Sequence, residues 1–153
     1  MALERFERTV EVTSDVDRCW STLTDVHELV SWVRILRSAE ELQALKSYTA
    51  VLEDKVGPFS LKADLAIDVE VVEEGAAIDV TASGRDRAIN TQIDIEGNLR
   101  LTPMDGGGTR IGVSGKYQVS GRATSLGSGI VRKKGDAAVN EFVDGVVRTL
   151  GSS

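Results

Sequence analysis

The chain has 153 residues, 41% of them hydrophobic and 27% charged, with a net charge of −6. That length fits one domain, taken as 1–153, with a sizeable core. The acidic balance argues against general nucleic-acid binding. No apolar run is long enough to span a bilayer, and the mixed charges of Leu3-Glu4-Arg5 do not read as a signal peptide. The single cysteine, Cys19, has no partner for an internal disulfide, so a reducing, cytoplasmic compartment is expected.

The apolar period changes along the chain. Phe6, Val10 and Val12 share one face of a first strand. Ser14 is the expected N-cap of a helix, with Asp17 three residues on as a weak capping box. Val16, Cys19, Trp20 and Leu23 then follow at helical spacing, and Asp25 restarts the pattern ahead of Leu29, Trp32 and Val33. Two short helices result, over about 15–24 and 26–33.

About ninety strand-like residues follow. Phe59, Leu61, Ala63, Leu65, Ile67, Val69 and Val71 alternate with mostly polar residues, which predicts a long strand with one buried face. Glu73-Glu74-Gly75 is a turn, and Ile78, Val80 and Ala82 continue beyond it. Ile89, Ile93, Ile95, Leu99 and Leu101 share a parity, as do Ile111, Val113, Tyr117 and Val119. Asp105-Gly106-Gly107-Gly108 between them is a hairpin loop, and Gly57-Pro58 is another corner. Three glycines without a following Lys-Ser/Thr do not make a phosphate loop. The glycines scattered through the strands allow strong sheet curvature.

Helical spacing returns in the last thirty residues, where Leu126, Ile130, Val139, Phe142, Val143, Val146, Val147 and Leu150 form an apolar stripe. That stripe must pack on the concave face of the sheet. A sheet that curves more than one helix can fill leaves a space between them, and such spaces are usual ligand sites. Inward-facing Phe59, Leu61, Leu65, Ile93, Val113 and Tyr117, with Leu126, Ile130 and Phe142 of the helix, are the candidate lining. Gly127-Ser128-Gly129 either delays the helix start or forms a compliant gate. Glycine weakens helical turns by about 1 kcal/mol relative to alanine.

No catalytic set stands out. His27 is a lone histidine, read as a surface or capping residue rather than a metal ligand. Cys19 reads as a buried, inert thiol. No cofactor is expected. From Gly106 to Gly135 there are six basic residues and no acid: Arg110, Lys116, Arg122, Arg132, Lys133 and Lys134. They are either a solvated cluster or a face for an anionic partner or lipid surface.

Three segments in this order carry a family resemblance: Val56-Gly57-Pro58-Phe59 before the long strand, Gly106-Gly107-Gly108-Thr109-Arg110, and Ser125-Leu126-Gly127-Ser128-Gly129-Ile130 ahead of Asn140-Glu141-Phe142. With them the chain resembles the START/Bet v 1-like superfamily and, within it, the CoxG family of carbon monoxide dehydrogenase subunits. It departs at Ser31-Trp32-Val33-Arg34-Ile35, where members typically carry a Pro-Gly-Cys-like motif, and at Arg85-Asp86-Arg87-Ala88-Ile89-Asn90, where small residues are usual. Some members have a C-terminal extension that reaches for the membrane, whereas this sequence stops at Ser153.

The resemblance implies an α+β helix-grip fold. About seven antiparallel strands would curve around a long C-terminal helix, with two short helices after the first strand and Trp32 at the cavity mouth. It also implies a non-catalytic carrier of an apolar ligand, a quinone or lipid. That carrier would be accessory to a molybdenum hydroxylase of the carbon monoxide dehydrogenase type and peripheral to the inner face of the membrane. Two alternatives stay open. One is a cavity enzyme of cyclase or hydrolase type, which needs a cluster such as Arg85, Asp86 and Tyr117 pointing inward. The other is an interaction module whose cavity side chains close.

Overall fold

The computed structural model describes residues 2–151, without the side chains of Ala2, Leu126 and Ser128. Strand β1 (Ala2–Val12) leads into α1 (Val16–Leu23) and α2 (Val26–Trp32). Six strands follow: β2 (Leu36–Gln43), β3 (Ser47–Val56), β4 (Phe59–Glu73), β5 (Ala77–Asp86), β6 (Thr91–Pro103) and β7 (Thr109–Gly121). A 3-10 turn (Arg122–Leu126) then precedes the long helix α3 (Ser128–Leu150).

The seven strands form one antiparallel sheet in the order β1-β7-β6-β5-β4-β3-β2. β2 to β7 thus run as a meander, and β1 closes on the last strand. Val56 pairs with Phe59 across a two-residue turn, so Gly57 takes a positive φ of 62° and Pro58 stays out of the ladder. The long alternation read in the sequence is β4, whose inward Leu61, Ala63 and Leu65 are buried while Ser60, Lys62 and Asp64 are exposed.

Two details differ from the sequence reading. Asp15, not Ser14, caps α1, its carboxylate accepting from the Arg18 N–H at 2.9 Å. Ser14 instead donates its hydroxyl to the Leu150 carbonyl at 2.7 Å, which ties the start of the chain to the end of α3. The terminal apolar stripe is also broken. Gly127, with φ 96°, separates the 3-10 turn from α3, so Leu126 and Ile130 lie on different elements.

The core falls into two clusters. One joins Val12, Cys19, Trp32, Ile111, Val146 and Leu150 beneath the C-terminal half of α3. The other joins Leu52, Leu61, Ala63, Leu65, Ile93 and Ala123 at the far end of the sheet. Its link to the 3-10 turn is Thr91, fully buried, whose hydroxyl accepts from the Ala123 N–H at 3.2 Å.

Gly145 of α3 seats the Trp32 ring so closely that a Cβ there would overlap it. Gly145→Ala should therefore destabilise the protein by about 1–3 kcal/mol, although alanine is the better helix former. Gly129→Ala, with nothing within 4 Å of the new Cβ, should stabilise it by about 0.5–1 kcal/mol. Urea midpoints of the two variants should move in opposite directions.

Candidate functional site

A cavity of about 390 Å³ lies between the second core cluster and α3. Its floor is the inward face of the sheet, with Leu52, Leu61, Leu65, Ile93, Val113 and Tyr117. Its roof comes from one face of α3, where Val131, Lys134, Ala138, Val139 and Phe142 recur at helical spacing. Val33 and Ile35 of the connection between α2 and β2, with Leu36 at the start of β2, close one side. The lining is apolar apart from Thr91, Tyr117 and Lys134.

Six of the ten residues singled out in the sequence are brought together here: Leu61, Leu65, Ile93, Val113, Tyr117 and Phe142. Trp32 is not at the mouth. It is buried in the first core cluster, edge-on to Phe142 with ring centroids 6.0 Å apart. Phe59 has the right parity but sits at the β3–β4 turn, beyond the lining. Ile130 packs on the second cluster and leaves the lining to its neighbour Val131. The Leu126 side chain falls outside the described residues.

Sequence reasoning misses Lys134, which reads there only as part of the basic stretch. The signal is available: Lys134 lies three residues after Val131 and four before Ala138. Its stem borders the cavity while its ammonium pairs with Asp54 of β3 at 3.0 Å. A separate surface depression lined by Arg34, Asp54, Lys134 and Glu141 shares Ile35, Lys134 and Ala138 with the cavity lining. The Arg34 N–H donates to Glu141 at 3.0 Å beside it. One ion pair and one hydrogen bond thus lie at this depression.

Tyr117 stands opposite. Its hydroxyl is buried with no hydrogen-bond partner among the described residues. Gly135 of α3 covers it, and a Cβ there would overlap the phenol oxygen. Desolvation, with the nearby charges of Asp136 and Glu4, pushes its pKa up from 10.0 to about 12. It stays a neutral phenol at any physiological pH.

Arg85, Asp86 and Tyr117 do not converge. Arg85 is exposed and donates to Gln92 at 3.4 Å. The buried Asp86 carboxylate accepts from the N–H groups of Lys62 and Ala88, so it caps the β5–β6 turn. His27 is exposed, and no group of three His, Cys, Asp or Glu that could hold a metal occurs among the described residues. Cys19 is fully buried, and desolvation raises its thiol pKa.

The basic stretch is largely neutralised at the surface. Arg110 pairs with Glu11, Lys116 with Glu96, Arg132 with Glu4 and Lys134 with Asp54, all within 3.4 Å. Arg122 and Lys133 have no ion pair among the described residues.

Tyr117→Phe removes a buried hydroxyl without a partner, and should stabilise the ligand-free protein by about 1 kcal/mol in a urea titration. The same site predicts a pH effect. Because the folded pKa lies above the unfolded one, the contribution of Tyr117 is intact below pH 10 and is lost as pH rises toward about 12. Tyr117→Phe should flatten that alkaline decline in stability. Cys19 should resist thiol reagents in the native protein and react once the protein is unfolded.

Comparisons with known proteins agree with this geometry. Residues 9–151 match a family model described as the carbon monoxide dehydrogenase G subunit (CoxG). No curated protein matches the chain by sequence. A conserved protein from Geobacillus kaustophilus superimposes with a TM-score of 0.80 at 18% identity, over 96% of this chain and 95% of that one. A START superfamily protein from Mycobacterium smegmatis gives 0.69 at 12% identity, over 95% and 96%. The ZhuI aromatase/cyclase from Streptomyces sp. R1128 gives 0.60 at 15% identity, over 99% of each chain. The architecture is the helix-grip fold of START/Bet v 1 proteins. No helix among the described residues is long and apolar enough to cross a membrane.

Proposed function

Because the chain belongs to the CoxG family of carbon monoxide dehydrogenase subunits, we propose that it is a non-catalytic carrier whose cavity takes a quinone- or lipid-like ligand. The observation that carries this reading is the apolar space of about 390 Å³ under α3. At about 30 Å³ per heavy atom, the share of a water molecule in the liquid, it takes roughly thirteen atoms. That is one bicyclic ring system or one short acyl chain.

A cyclase reading has a structural neighbour in its favour, but it needs an acid and a base that converge. The ionisable side chains in this lining are Lys134, already paired with Asp54, and Tyr117, whose proton is held to about pH 12. Tyr117 does not serve as a base near neutrality. The carrier serves a molybdenum hydroxylase of the carbon monoxide dehydrogenase type at the inner face of the membrane. Arg122 and Lys133, the cations of the basic stretch without an ion pair among the described residues, are the contacts we assign to that partner or to anionic lipid.

Native mass spectrometry of protein isolated from its own host tests the carrier reading. A retained apolar molecule is expected, and adding it back to stripped protein at 100 times its Kd should stabilise the fold by about 2.7 kcal/mol. Protein that carries nothing and gains no stability from quinones or lipids would falsify the proposal.

A further inference from the structure

We infer that Asp105 is a site of spontaneous backbone modification: the Gly106 nitrogen closes a succinimide on its side chain, and hydrolysis of that ring leaves an isoaspartyl link. The inference stands independently of the carrier reading.

The sequence holds two Asp-Gly pairs, Asp105-Gly106 and Asp144-Gly145. Glycine after an aspartate leaves the backbone nitrogen open to the side chain, because no Cβ crowds the ring as it closes. The fold separates the two pairs. Asp144-Gly145 lies within α3, where helical hydrogen bonding occupies the Gly145 N–H and fixes the backbone. The Trp32 ring is also seated against Gly145. Asp105-Gly106 instead forms the exposed tip of the β6–β7 hairpin. Gly106 has a φ of 95°, and its N–H has no hydrogen-bond partner among the described residues. Nothing lies within 4 Å of where a Cβ of Gly106 or Gly107 would stand, so the ring has room to form.

The Gly106 nitrogen bonds to Cγ of Asp105. The amide proton, one carboxylate oxygen and a proton from solvent leave together as water. A water molecule then adds to either carbonyl of the ring. If the bond from nitrogen to Cγ breaks, aspartate is restored. If the bond from nitrogen to the α-carbonyl carbon breaks, the main chain runs through Cγ and the α-carboxylate becomes the side group. Nothing is oxidised or reduced, and solvent is the only co-reactant.

The new link adds one methylene to the main chain of the hairpin. The Gly107 N–H donates to the Met104 carbonyl at 3.2 Å across that link, and the Met104 N–H donates to the Gly108 carbonyl at 2.8 Å. Gly108 sits so close to the Val12 carbonyl that a Cβ there would overlap it. The next residue, fully buried Thr109, donates its hydroxyl to the Ser14 carbonyl at 2.8 Å. The hairpin tip is thus seated on the end of β1 and the residues after it. Lengthening the tip disturbs that seat, so modified molecules unfold at lower urea concentration.

The test holds the full chain for weeks at physiological temperature and neutral pH, folded in buffer and unfolded in guanidinium chloride. Peptides are then sequenced by electron-transfer fragmentation, which distinguishes the two links. In the folded protein the Asp105 peptide should split into two isomers of equal mass, with a trace lighter by one water, while the Asp144 peptide stays single. In the unfolded chain both peptides should split. Asp105→Glu, which would have to close a larger ring, should lose the isomer, and a thermal melt checks that it folds. Aged wild type should contain a fraction with a lower urea midpoint that aged Asp105→Glu lacks. An Asp105 peptide that stays single in the folded protein overturns the inference, as does equal conversion of Asp144 there. A modified fraction as stable as fresh protein overturns the coupling to the end of β1.

Discussion

The C-terminal half of α3 is fixed where Trp32 lies on Gly145, and the rest of the architecture depends on that seat. No side chain separates the indole from the helix backbone, so the two approach as closely as packing allows. Val146 and Leu150 are buried beside it, and the Leu150 carbonyl receives both the N–H and the hydroxyl of Ser14. The helix is thereby pinned at one end. Its N-terminal half, with Val131, Lys134, Ala138 and Val139, roofs the cavity over the inward faces of β3 to β7. The apolar character of the cavity follows from strand alternation, which turns the polar residues outward.

Much of this is legible in the sequence. The alternation from Phe59 to Val71 marks β4 and its buried face, and it places Leu61 and Leu65 in the lining. Parity does the same for Ile93, Val113 and Tyr117. Other features have no local signal. β2 is an edge strand whose residues are mostly exposed, with Leu42 63% exposed, so no alternation betrays it. Parity tells which face a side chain takes but not where along the strand the cavity ends, which is why Phe59 lies beyond it. Trp32 belongs to the core because Gly145, more than a hundred residues away, makes room for it. The family resemblance supplies the architecture; it does not supply the pairing of Lys134 with Asp54 or the isolation of the Tyr117 hydroxyl.

Charge shows a similar limit of linear reading. Six basic residues without an acid look like a binding face in the sequence. In the fold, cross-strand and helix–strand neighbours such as Glu11, Glu96, Glu4 and Asp54 neutralise four of them. Exposed pairs of this kind add little stability. Their effect is to remove long-range attraction from that surface, leaving Arg122 and Lys133 near the start of α3. Lys134 differs from the others in that its side chain also borders the cavity.

The central claim is that a dry, apolar cavity exists between the N-terminal half of α3 and the sheet. Xenon under pressure measures this most directly, since the gas enters apolar cavities and has no use for polar ones. A crystal structure of the pressurised protein should place xenon among Leu65, Ile93, Val113 and Val139. Xenon only at the outer surface, or side chains collapsed across that space, would contradict the account.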